Sequence, residues 1–160
     1  MTKRIDLYKK GQRGSDTYFD REELAALAEM GASAQEIYDF AEDAVNHGEP
    51  DFATALLITS ARRDYFMTIQ KGVKSEQVTS ADQLPAKTDQ LEGVEWLPRI
   101  IEKARLKLRG EMAQEIMYCC GGDRRFLNSH RIHPADFLRV VWAAGEDKAK
   151  ILNYVLKSKG

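Results

Sequence analysis

Apolar residues recur at helical spacing along most of the chain. Asp20-Arg-Glu-Glu23 reads as a capping box, followed by Leu24, Leu27 and Ala28 on one face and by Gly31 as a stop. Ser33-Ala-Gln-Glu36 is a second capping box. It opens a helix in which Ile37, Phe40, Ala41, Ala44 and Val45 follow the i, i+3, i+4 rule up to Asn46-His47-Gly48. Pro50 then suits the first turn of a third helix reaching about Lys71. Phe52, Leu56, Leu57, Ile58, Phe66 and Ile69 make that helix apolar nearly all round, the pattern of one packed on several sides.

The C-terminal half repeats this style. Pro98 precedes Ile100, Ile101, Ala104 and Leu108, with Gly110 just past the end. Met112, Ile116 and Met117 suggest a short helix stopped by Gly121-Gly122, and Asp123 can cap a further turn through Phe126 and Leu127. Pro134 opens a helix with Phe137, Leu138, Val141 and Trp142, and Asp147 can cap a last one with Ile151, Leu152 and Val155 facing inward. No strict alternation runs past four residues, so no strand is expected and the fold class is all-α. Between the halves, Gly72 to Gly93 lacks helical period and includes Ser75, Thr79, Ser80, Pro85 and Thr88. A loop this long implies a domain boundary or a functional wrap. The expected organisation is a basic N-terminal arm (1–19), an acidic three-helix unit (20–71), a linker (72–93) and a basic C-terminal bundle (94–160).

Charge sharpens that division. The 160 residues carry 24 basic and 25 acidic side chains, so no global charge argues for nucleic acid. The distribution is nevertheless split: ten acids face the single base Arg21 between Asp20 and Asp51, while Arg99, Lys103, Arg105, Lys107 and Arg109 oppose only Glu102 on the helix after Pro98. No stretch approaches the roughly 18 apolar residues of a membrane span, and the opening Met1-Thr-Lys-Arg-Ile-Asp has no apolar core of a secretory signal. Adjacent Cys119 and Cys120 suit no ordinary structural disulfide, so a reducing cytoplasm is the expected compartment.

Trp96-Leu97-Pro98-Arg99, Lys103-Ala104-Arg105, Gly110, Asp123-Arg-Arg-Phe126-Leu127, Ile132 and Phe137-Leu138 together resemble the bacterial domain-of-unknown-function family 5069. The resemblance covers about residues 93–158. It implies a small helical bundle in a bacterium, and it supplies no activity, cofactor or catalytic residue. The first 70 residues lie outside it and read as an added helical unit.

Candidate chemistry concentrates in Tyr118-Cys-Cys-Gly-Gly-Asp-Arg-Arg125. Cys119 and Cys120 with His130 and His133 offer soft and imidazole ligands for a metal or redox pair. Two features oppose this: the thiols fall at the C-terminal end of the expected helix, where the dipole disfavours a thiolate, and adjacent helical side chains diverge by about 100°. Buried, inert thiols are the simpler reading, and no metal or cofactor is expected. Asp123, Arg124 and Arg125 after two glycines can instead form an anion pocket, although a capping aspartate competes for the same N–H groups. The basic residues of the 98–109 helix can flank its apolar stripe with their charges in water. There they would offer a patch for RNA, DNA or an acidic protein surface. No interleaved aromatics or nucleic-acid fingerprint accompany them.

No phosphate loop, Gly-x-Ser-x-Gly elbow or His-Glu-x-x-His helix occurs, and the acid pairs lie on solvated faces. The expected function is therefore non-enzymatic: a protein partner, or a second copy, bound through helix faces and charge complementarity. The alternative is a small-molecule or anion site, enzymatic use included, at Cys119–Arg125 with His130 and His133. Nucleic-acid binding through the basic helix comes third, and no membrane role is expected.

Overall fold

Both capping boxes form. The Asp20 carboxylate accepts from the Glu23 amide while Glu23 reaches back to the Asp20 amide, and Ser33 and Glu36 repeat the exchange. They start α2 (Arg21–Glu29) and α3 (Ala34–His47), which belong to a compact N-terminal unit, Met1–Lys74. The structure is a computed structural model that describes residues 1–158. Its described residues are predominantly helical, with eight α-helices and one very small sheet.

The three helices expected over 20–71 form, and the compact N-terminal unit adds a fourth. The expected basic arm is helix α1 (Thr2–Lys9), and it is anchored: Arg4 and Tyr8 are buried. Tyr8, Tyr18 and Tyr38 meet edge-on, with centroids 6.0 Å and 4.9 Å apart for the two pairs sharing Tyr38. The Tyr8 hydroxyl donates to Glu42 at 2.8 Å, and Arg13 stacks 3.7 Å over the Tyr8 ring. Arg4 pairs with Glu23 and lies 4.1 Å over Phe19. Polar-looking residues thus supply the core contacts of α1, through rings and long apolar stems.

The third predicted helix forms as α4 (Phe52–Thr68), with Asp51 as its N-cap and Pro50 outside it. It is not packed on all sides. Ala55, Ile58, Ala61, Arg62 and Phe66 are buried, whereas Phe52 is 55% exposed, Leu56 51%, Leu57 47% and Met67 47%. Gly31, at a positive φ of 66°, lets the α2–α3 turn approach this helix: an added Cβ would stand 2.6 Å from the Phe66 ring.

The C-terminal unit, Ser75–Gly160, begins inside the expected linker. Residues 75–93 wrap onto this unit. The Thr79 amide donates to the Glu111 carbonyl at 2.8 Å, the Ala113 amide to the Thr79 carbonyl at 3.1 Å, and Leu84 is buried with Leu106 and Ile116. Contrary to the expectation of no strands, β1 (Gln90–Leu91) and β2 (Val94–Glu95) pair antiparallel around Glu92-Gly93, both at positive φ. The short helix expected over 112–117 does not form, because its backbone bonds to Thr79 instead. Helices α5 (Leu97–Arg109), α6 (Gly121–Ser129), α7 (Pro134–Ala144) and α8 (Lys148–Ser158) complete the unit. Its core takes Leu97, Ile100 and Ala104 from α5, Leu127 from α6, Phe137 and Leu138 from α7, and Ile151 and Val155 from α8.

Candidate functional site

The Cys119–Arg125 segment folds around Asp123. Cys120 is the N-cap of α6, so the thiols lie at a helix N-terminus, opposite to the expectation from a preceding helix. Asp123, in the first turn, is fully buried. Its carboxylate accepts from the Cys119 amide at 3.0 Å and the Trp96 indole N–H at 3.0 Å, and it pairs with the Lys103 ammonium. Trp96 and Cys119 both adopt left-handed backbone, at φ 71° and 69°. Such corners cost of order 1–3 kcal/mol each in a residue with a Cβ. One buried carboxylate thus holds both strained corners and neutralises a buried lysine. Gly122 completes the knot, because the Trp96 ring lies where its Cβ would be, 2.5 Å from the indole edge.

Of the remaining predicted ligands, Arg124, His130 and His133 are engaged within the chain. Arg124 donates through Nη1 to the Cys119 carbonyl at 2.6 Å and is buried, while Arg125 is exposed and does not join it. His130 is buried against Phe126, its Nδ1 lying 2.9 Å from the Phe126 carbonyl and 3.0 Å from Ser129 Oγ. His133 accepts from the Ala135 amide at 3.2 Å and so caps α7. Among the described residues no group of three or more His, Cys, Asp or Glu side chains is arranged to hold a metal. Burial pushes the Cys119 thiol up to about 12 and raises the neighbouring Tyr118 hydroxyl well above its ordinary value. Cys120 is less buried, and its sulfur receives Lys103 Nζ at 3.3 Å.

The basic helix is not the solvated stripe that its sequence suggests. Lys103 and Lys107 are buried, and burial lowers the Lys107 ammonium to about 7. Arg99 donates to the Pro85 carbonyl at 2.6 Å, Arg105 to the Gly145 carbonyl at 2.8 Å, and Arg109 to Glu111 at 2.6 Å. Arg105 also pairs with Glu146 at 3.0 Å. All five basic side chains therefore serve contacts or burial inside their own unit.

A different feature, absent from the sequence-level candidates, stands in the N-terminal unit. Helices α2, α3 and α4 border a groove of about 340 Å³, walled by Leu27, Met30, Ile37, Phe40, Phe52, Ala55 and Leu56. Lys3, Arg4 and Glu23 also line it, and Glu23 accepts from Lys3 at 2.8 Å. Hydrogen bonds from Lys3, the Asp20 amide and Arg4 hold the Glu23 carboxyl down at about 2. The exposed rings and methyls of Phe52 and Leu56 continue from the groove to the surface of α4. The sequence signal was the all-round apolar pattern of α4, which reads as core in one dimension and as surface in three.

No helix among the described residues is long and apolar enough to cross a membrane. Nothing among curated proteins and nothing among solved structures matches the chain. The N-terminal part, groove included, has no family match. The C-terminal unit does, over a stretch that begins within the wrap and takes in Trp96, Lys103, Cys119 and Asp123: residues 82–159 match the model of DUF5069, a domain of unknown function.

Proposed function

We propose that the chain is a non-enzymatic interaction protein whose N-terminal unit receives the apolar face of an amphipathic, basic helix from a partner protein. The observation that carries this reading is the α2–α3–α4 groove with Phe52 and Leu56 at its mouth. Large apolar side chains standing together beside a concave apolar wall mark a surface that gains free energy when covered. Charge selects the occupant. Between Asp20 and Asp51 the elements that frame the groove carry ten acids against Arg21. Glu22 and Glu29 on α2, with Glu49 and Asp51 ahead of α4, are exposed. A helix with lysine or arginine beside its apolar stripe would be drawn to this acidic segment of the unit, which favours encounter.

Two competing readings lose support from the same geometry. The anion pocket at Cys119–Arg125 has its aspartate and Arg124 engaged within the fold. The nucleic-acid stripe on α5 has Lys103 and Lys107 buried.

Fluorescence anisotropy with a labelled leucine–lysine amphipathic helical peptide tests the reading. Binding should weaken about tenfold in Leu56→Asp, the equivalent of roughly 1.4 kcal/mol. It should also weaken in a peptide of the same composition with its apolar stripe scrambled. Equal affinity for both peptides, or for wild type and Leu56→Asp, would overturn it.

A further inference from the structure

The C-terminal unit places a thiol and an amine in contact. Lys103 Nζ lies 3.3 Å from Cys120 Sγ and is also paired with Asp123. Lys103 and Asp123 are buried, whereas Cys120 is partly open to solvent. A small oxidant can therefore reach the sulfur while bulk water has little access to the amine behind it. The Lys103 ammonium lies against the sulfur. A partly exposed thiol in contact with a nitrogen donor is where sulfur chemistry is accessible. Cys119, one residue away, is fully buried and closed to an oxidant.

From this arrangement we infer that Cys120 and Lys103 form a reversible sulfur–nitrogen cross-link under peroxide, making the start of α6 a redox-responsive site. Peroxide converts the Cys120 thiol to a sulfenic acid. One peroxide oxygen passes to sulfur and the other leaves as water, so that sulfur is oxidised by two electrons and peroxide is reduced by two. The Lys103 ammonium gives one proton to the Asp123 carboxylate that it already contacts. The freed amine lone pair attacks sulfur. The N–S bond forms, the S–O bond breaks, and hydroxide leaves as water with a second proton from nitrogen. Two equivalents of a thiol reverse the step: they become a disulfide, and the Cys120 thiol and Lys103 amine are regenerated. The cross-link exchanges a buried ion pair between α5 and α6 for a covalent strap between the same elements.

The test is dilute hydrogen peroxide on the full chain, followed by intact mass and tryptic peptide mass spectrometry. The intact mass should fall by two hydrogens. Cleavage after Lys103 should vanish, with the Gly110–Arg124 peptide linked to the peptide that carries Lys103, and dithiothreitol should restore the original map. Cys119→Ala should retain the link, which separates it from a disulfide between the adjacent cysteines. Cys120→Ser should lose it, as should Lys103→Arg, which keeps a cation against Asp123 and should keep the helical circular dichroism. If peroxide takes Cys120 of the Cys119→Ala protein to sulfenic or sulfinic acid while trypsin still cuts after Lys103, the inference is wrong. Persistence of the link in Lys103→Arg would equally overturn it.

Discussion

Gly121 and Gly122 are adjacent in the first turn of α6, yet alanine should act in opposite directions at the two. At Gly121 an added Cβ meets only Arg124 Nη2 at 3.8 Å, an ordinary contact. Restricting the unfolded chain there should stabilise by about 0.4–1 kcal/mol. At Gly122 the Cβ would stand 2.5 Å from Trp96 Cζ2 and 2.6 Å from Cη2. That ring cannot simply swing aside. Its N–H is bound to buried Asp123 at 3.0 Å, and its backbone sits at φ 71°. Overpacking costs about 1–3 kcal/mol, and stripping a donor from a buried carboxylate adds about 1–3 kcal/mol. Less the backbone gain, Gly122→Ala should destabilise by about 1–5 kcal/mol. Trp96 and Trp142 both belong to the C-terminal unit, so tryptophan fluorescence during heating reports its unfolding. For a unit of this size Gly122→Ala should lower Tm by roughly 4–40 °C, while Gly121→Ala should raise it by about 2–8 °C. Shifts of the same sign, or a Gly122→Ala protein as stable as wild type, would refute the claim that the Trp96–Gly122–Asp123 contact holds this segment.

Three further outcomes follow from buried ionisable groups. Burial, assisted by Glu42 and Asp43 and opposed by the Gln35 hydrogen bond, raises the Asp39 carboxyl from 3.8 to about 6. The folded state therefore binds the proton more tightly than the unfolded chain, and the resulting stability is present below about pH 4 and lost as pH rises through 6. The rise corresponds to roughly 3 kcal/mol, which partial contact with water reduces to about 1–2 kcal/mol. Asp39→Asn should gain about that much over wild type at pH 7 and nothing below pH 4 in urea unfolding; a gain independent of pH would contradict the assignment. For Lys107 the shift is downward, so the folded state binds fewer protons than the unfolded chain and wild-type stability should rise between about pH 7 and 10.5. Lys107→Met should be the more stable protein at pH 6, with the gap closing toward pH 10; a constant gap would indicate a packing effect alone. Iodoacetamide on the native protein should label Cys120 and spare Cys119 until denaturant is added, as peptide mass spectrometry would show, and simultaneous labelling would disprove the burial of Cys119.

Local signals in the sequence were accurate where the physics is local. Asp20 with Glu23, Ser33 with Glu36, and Asp147 ahead of α8 all cap helices because a side chain three residues from an amide reaches it without help from the rest of the fold. The signal failed where the partner is distant. Helix α1 carries Arg4 and Tyr8 inward and shows no apolar stripe; its contacts with Glu23, Phe19 and Glu42 come from chain folded back on it. The burial of Lys103 depends on Asp123, twenty residues away, so the helix after Pro98 reads as a solvated basic face until that contact is known. Residues 112–117 have helical composition but lose their backbone to Thr79. The groove was hidden for a related reason: periodicity shows that α4 is apolar, whereas which of its faces stays uncovered depends on where α2 and α3 pack.

The central claim, that the N-terminal unit is an interaction surface, is tested most directly by two-dimensional ¹⁵N–¹H spectra of the full chain during titration with the leucine–lysine peptide. Dose-dependent shifts should concentrate at Leu27, Met30, Ile37, Phe52 and Leu56, leave α5 to α8 unmoved, and shrink as salt is raised. Shifts confined to the C-terminal unit, or an unchanged spectrum at millimolar peptide, would contradict the account.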